Sequence, residues 1–324
     1  MKIFFADRES STLAADKTHT LLRTKDSMLK FPGIEEVHTP EESNAIILQE
    51  ENSYKNFRYI EDLLRDQLIS KYAHKVFTIN DDDCATGLLK GVYTSLPSFR
   101  FRQGIHVAVP YMQFPNELVF SKNNDREPEH LASWRGNTKS NRLRLKLIDN
   151  LKEKTGVIIE KTDSWLNHDL AEKEKYVQLI QNSQFSLCPA GWAPVSFRIY
   201  ESMALARCPV ILADSFVPPT GPKWKDFALF YPEKKVDKLH AFLRENESNS
   251  SQLGLNAYEN WKQHFSPEVI GDYYAQGLLS LINASKPATN DREFKRWKSL
   301  QMHWKNEWTV PQRIINKAKQ LFYA

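Results

Sequence analysis

The sequence predicts two doubly wound, Rossmann-like α/β domains facing each other across a cleft. Three observations lead there. Short apolar runs alternate with amphipathic stretches in both halves of the chain, the pattern of βαβ units around parallel sheets. At 324 residues the chain is long for one core and comfortable for two. A stretch without apolar side chains, Ser121 to His130, separates the two alternating halves.

The elements follow in order. Met1 to Arg8 has too short an apolar core for a signal peptide, so it is expected as a first strand. Ala45 to Leu48 is the next strand, Tyr54 to Tyr72 an amphipathic helix, and Val76 to Asn80 a third strand. Beyond the polar stretch, Asn141 to Lys154 is predicted helical, Val157 to Ile159 a strand, and Lys173 to Gln181 a helix. Phe185 to Cys188 is a strand ended by Pro189, and Ala190 to Pro194 cannot extend it, so it is a loop. Ser196 is the expected N-cap of a helix over Phe197 to Arg207. Pro209 is expected to stop that helix before a strand at Val210 to Leu212. The expected division is 1–125, 126–290, and a basic aromatic helical segment 291–324 that packs back on the first domain.

Composition narrows the function classes. A mean hydropathy of −0.54 with 26% charged residues fits a soluble protein. No run approaches the 18 or so apolar residues of a membrane helix. Cys84, Cys188 and Cys208 are odd in number and far apart, which fits reduced thiols in the cytoplasm and neither a disulfide framework nor zinc spacing. A net charge of +4 suits anionic small molecules or an anionic membrane surface, but it lacks the density of a nucleic-acid binder.

The chemistry concentrates between Phe185 and Leu212. A glycine-bearing loop that opens a helix between buried strands offers free amides and a helix dipole to a phosphate, around Gly191 and Ser196. Arg198 and Glu201 lie three apart and share a helix face. An arginine can fork onto a diphosphate, and a carboxylate can accept from two sugar hydroxyls. The competing reading is a solvated Arg–Glu pair of little consequence.

This segment resembles the exostosin-type glycosyltransferases, whose pattern runs F-x-L-x-P-x-G, S-x-R-x-x-E, then P-V-I-L. It is carried here by Phe185, Leu187, Pro189, Gly191, Ser196, Arg198, Glu201 and Pro209 to Leu212. The likeness continues to Trp224. Upstream it takes in Trp134-Arg135-Gly136 with Arg142, the Val76 to Asp82 segment, and Ile105 to Pro110. Cys84 stands where many relatives carry glycine. The resemblance implies a GT-B fold and an inverting transferase that moves a sugar from a nucleoside diphosphate donor, UDP-sugar first, to a hydroxyl of a glycan or glycolipid in surface polysaccharide synthesis. It implies donor-binding roles for Arg135, Arg142, Gly191, Ser196, Phe197, Arg198 and Glu201. Two other readings share the features: a fucosyltransferase-type enzyme using GDP-fucose, and a non-catalytic glycan-binding protein on a transferase fold.

Asp81-Asp82-Asp83 is the other conspicuous cluster. It could hold Mg²⁺, supply a general base, or cap a helix at Ala85. The base reading, on Asp82, is preferred, because arginine and helix amides already meet the charge of the leaving diphosphate; no metal or other cofactor is expected. At the carboxyl end, Phe294, Trp297, Leu300, Trp304 and Trp308 make one aromatic stripe. Eight Lys or Arg against three Asp or Glu accompany it from Asp291 to Ala324. Such a helix packs back on the protein or touches the inner face of a membrane peripherally.

Overall fold

The computed structural model describes residues 1–16, 19–50, 58–83, 85–120, 127–163, 169–284, 289–300, 302 and 314. Ser121 to Arg126, Tyr54 to Phe57, Cys84, His168, Trp304 and Trp308 lie outside them. The chain divides into two compact units, residues 1–109 with 271–324, and residues 110–270.

The first unit is built on a six-stranded parallel sheet. Its strands are β1 (Lys2–Ala6), β2 (Glu35–Glu36), β3 (Ala45–Gln49), β4 (Val76–Asn80), β5 (Lys90–Tyr93) and β6 (His106–Ala108), in the order β2-β1-β3-β4-β5-β6. Helices α1 (His19–Met28), α2 (Tyr59–Arg65) and α3 (Gln67–Tyr72) belong to it. All five residues of β3 and of β4 are buried, as parallel strands covered on both faces require. The single helix expected up to Tyr72 is broken. Asp66 is extended (φ −61, ψ 127) and caps α3 by accepting from the Ile69 N–H. Its other oxygen accepts from Ser11 Oγ at 2.9 Å and the Thr12 N–H at 2.8 Å.

The second unit has a five-stranded parallel sheet, with strands β7 (His130–Gly136), β8 (Val157–Lys161), β9 (Ser183–Pro189), β10 (Cys208–Leu212) and β11 (Leu229–Phe230), in the order β11-β10-β9-β7-β8. Its helices are α4 (Arg142–Leu151), α5 (Leu170–Gln181), α6 (Phe197–Ala204), α7 (Leu239–Glu245) and α8 (Ser250–His264). The helix expected to reach Arg207 stops at Ala204, and Ala206 takes the left-handed conformation, φ 50. Pro209 does not precede the strand but lies inside it. The neighbour β11 pairs only with Val210 and Ile211, so at Pro209 one side of β10 is an edge, where proline is tolerated.

Both expected boundaries shift. The first falls at 109/110 instead of 125/126, because residues 111–120 pack on the second unit. Tyr111 packs on Phe197 with tilted rings, 4.1 Å between centroids, and Val119 joins the cluster of Val177, Ile180 and Leu205. The second falls at 270/271 instead of 290/291. Helix α9 (Ile270–Ala284) lies on the first sheet. Gly277 eases the approach, since a β-carbon there would come within 3.1 Å of Val92 and 3.3 Å of Val107.

Helix α10 (Asn290–Trp297) continues in the first unit. Trp297 is fully buried with Ile46, Leu48, Tyr59 and Leu88, and donates to the Leu88 carbonyl at 3.0 Å. Phe294 packs against the same cluster, so the described part of the aromatic stripe turns inward, apart from the exposed Leu300. Trp297→Ala is therefore expected to lower unfolding stability by about 3–5 kcal/mol, measured by urea denaturation.

Candidate functional site

In each sheet the strand order reverses once, between β1 and β3 in the first unit and between β7 and β9 in the second. Open parallel sheets bind ligands at the carboxyl ends of the strands flanking such a point. In the second unit the loop after β7 and the loop after β9 meet there. Asn141 Nδ2 donates to the Gly191 carbonyl at 3.2 Å, and Arg144 Nε to the Ala190 carbonyl at 3.1 Å. Arg144 Nη1 also donates to the Asn137 carbonyl at 2.9 Å, so this one side chain ties the two loops together. A β-carbon on Gly191 would sit 2.8 Å from Arg144 Nη2. The glycine leaves room for this arrangement of Arg144, and its amide donates to the Ala193 carbonyl at 3.0 Å and so is not a free phosphate donor.

Ser196 caps α6, accepting from the Arg198 N–H. Seven consecutive residues, Arg198 to Ala204, are buried. Tyr200 locks the helix by edge contacts with Phe265 and Trp224, at 5.4 and 6.4 Å between ring centroids. Arg198 and Glu201 are thus 6% and 3% exposed, which removes the solvated-pair reading. Arg198 Nη2 donates to the carbonyl of Arg135, the penultimate residue of β7, so the side chain bridges the switch point from α6. Its Nη1 is buried and has no hydrogen-bond partner among the described residues. A buried charged donor left unused is costly, and an anion placed there removes the cost.

Glu201 accepts from the Tyr176 hydroxyl, and the Arg198 guanidinium lies 4.6 Å from the Tyr176 ring centroid. Burial raises the Glu201 carboxyl above its ordinary range, opposed by the Tyr176 hydrogen bond and the Arg198 charge. The other expected donor residues lie as follows. Arg135 is buried, its guanidinium paired with Glu160 and Glu172 and its carbonyl accepting from Arg198. Arg142 is an exposed first residue of α4, and Arg144, two positions on, is the one that reaches the loops. In the sequence Arg144 is one of several neighbouring cations, with nothing to mark it. Phe197 packs on Tyr111.

The aspartates lie in the first unit, past the carboxyl end of β4. Asp81 accepts from Thr20 Oγ1 at 2.8 Å and Gln49 Nε2 at 3.2 Å. Asp82 is half-buried, its amide donating to Asn80 Oδ1 at 3.1 Å and its carbonyl accepting from Ser95 Oγ. Asp83 is exposed, and no helix begins at Ala85, so the capping alternative does not apply. Sequence reasoning missed Glu50, which follows β3 at the switch point itself. It is 1% exposed and accepts from Asn80 Nδ2 at 2.8 Å.

The second unit is a doubly wound α/β fold with a buried arginine and glutamate at its switch point. Residues 67–246, over half of the chain, match the Exostosin GT47 domain, and the chain belongs to this glycosyltransferase family. It is similar to the Arabidopsis thaliana probable glucuronoxylan glucuronosyltransferase IRX7, 47% identical over 66 residues, covering 20% of this chain and 15% of that protein. It is also similar to the Arabidopsis probable beta-1,4-xylosyltransferase IRX10, 39% identical over 70 residues, covering 21% and 17%. The match therefore spans under a fifth of these relatives' length. Among solved structures, Anabaena HepE in complex with UDP-glucose aligns with a TM-score of 0.43 at 11% identity, over 86% of this chain and 100% of that one.

Proposed function

We propose that the protein is an inverting glycosyltransferase that takes a nucleoside diphosphate sugar, a UDP-sugar first, and glycosylates a hydroxyl of a glycan or glycolipid. The observation that carries this is the buried Arg198 spanning the β7/β9 switch point with Nη1 unused, beside a buried Glu201. Arg198 Nη1 meets the charge that develops on the leaving diphosphate. Glu201 accepts from the nucleoside ribose hydroxyls. Asp82 takes the proton of the attacking hydroxyl, and a single in-line displacement inverts the anomeric carbon. The names of the relatives make glucuronosyl and xylosyl the sugars to try first, in polysaccharide synthesis. The decisive experiment is a thermal-shift screen with UDP and GDP, followed by UDP release on adding acceptor. A ligand that binds only the folded state raises its melting temperature. No shift with either nucleotide sinks the reading.

The reaction is proposed to need no metal. Among the described residues no three His, Cys, Asp or Glu side chains converge as metal ligands. Turnover is expected to survive EDTA; loss of activity restored by Mg²⁺ or Mn²⁺ overturns that. Among the described residues no helix is long and apolar enough to cross a membrane.

A further inference from the structure

Tyr176 touches both side chains on which the donor site rests. It lies on α5, its hydroxyl donates to Glu201 Oε2, and its ring carries the Arg198 guanidinium at 4.6 Å. One turn earlier on the same helix, Glu172 pairs with Arg135, whose carbonyl accepts from Arg198. Residues 172 and 176, four apart, share one face of α5. That face supports the site from beneath, through partners 25 and 37 residues distant in the chain.

We propose that Tyr176 is a positioning residue of the donor site: its hydroxyl holds Glu201 aimed and ionised, and its ring seats Arg198. The proposal rests on the donor-site reading above. Burial raises the Tyr176 phenol well above its ordinary range, so it remains a proton donor at any working pH. Three titratable groups face Glu201: Arg198 on its own helix, Tyr176 from α5, and Cys188 from β9, whose thiol burial pushes up to about 12 and keeps neutral. β10, α8 and the short helix Glu117–Phe120 also pack on α6, and their titratable groups are Cys208, Tyr258, Glu259, Lys262, His264 and Glu117.

The sign follows. The Tyr176 hydrogen bond lowers the Glu201 pKa against the rise that burial imposes. Removing it raises that pKa further, so a smaller fraction of Glu201 is ionised at a given pH. Binding that needs the carboxylate is then lost at a higher pH. A role confined to packing would lower the melting temperature without moving this profile.

The test is UDP affinity by isothermal titration, for the wild type and Tyr176→Phe, from roughly pH 5.5 to 8.5, with melting temperatures alongside. The Phe variant is expected to bind UDP about tenfold more weakly on the acid side. The gap should narrow as pH rises, and KM for donor should rise while kcat at saturating donor stays near normal. Tyr176→Leu, which removes the ring as well, is expected to bind more weakly at every pH. A folded Phe variant with the wild-type profile overturns the proposal and leaves the donor site standing. A wild type that binds neither UDP nor GDP removes the donor site and this inference together.

Discussion

Replacing Arg198 by alanine is expected to weaken UDP binding about ten- to a hundredfold, and Glu201→Ala to do the same. Each removes one charge-assisted hydrogen bond that a buried side chain would make to the ligand, a loss of about 1.5–3 kcal/mol. The two variants differ in their side effects. Arg198→Ala also strips the Arg135 carbonyl of its donor and takes the cation from the Tyr176 ring, so it should melt at a lower temperature. Glu201→Gln separates charge from shape, because the amide oxygen still accepts from Tyr176 while the net charge is gone. It should fold normally and still lose most of the affinity. Isothermal titration on folded protein is the measurement. Unchanged nucleotide affinity in both alanine variants would take these residues out of the site.

What the sequence made legible was local. The β4 strand occupies Val76–Asn80 as expected, because five successive buried apolar or small polar residues sit between a helical stretch and an acidic turn. Ser196 caps α6 because its hydroxyl needs only the amide two residues on. The Arg198 and Glu201 pair was visible because three-residue spacing fixes a shared face. What remained hidden depends on partners far along the chain. The break at Asp66 comes from Ser11 and Thr12, 55 and 54 residues away. The Arg135 guanidinium is taken by Glu160 and Glu172, which no spacing in the sequence reveals. The return of α9 to the first sheet brings Gly277 close against Val92 and Val107, and a polar stretch at 121–130 marks exposure without marking where the chain changes unit. Tyr176 falls in this second group. As a lone tyrosine in a helix it carries no signal until α5 is laid against α6.

The Asp82→Asn variant is expected to lower kcat by about 10²–10⁴-fold with donor affinity nearly unchanged. A general base acts only on the attacking hydroxyl, and Arg198 and Glu201, the proposed donor residues, belong to the other unit. Asp82 stands past the carboxyl end of β4, its backbone pinned by Asn80 and Ser95, so the carboxyl group has a fixed origin. Its neighbours make internal controls of two kinds. Asp81 is bound to Thr20 and Gln49, so Asp81→Asn should cost about 1–2 kcal/mol of stability with turnover retained. Asp83 is exposed, and its Asn variant should change neither. Rate at saturating donor and acceptor, together with melting temperature, separates the three. If all three Asn variants keep near-normal turnover, the base is not in this turn. Glu50 is then the carboxylate to replace. It is buried at the β1/β3 switch point, one strand nearer the reversal than Asp82, and is held in place by Asn80.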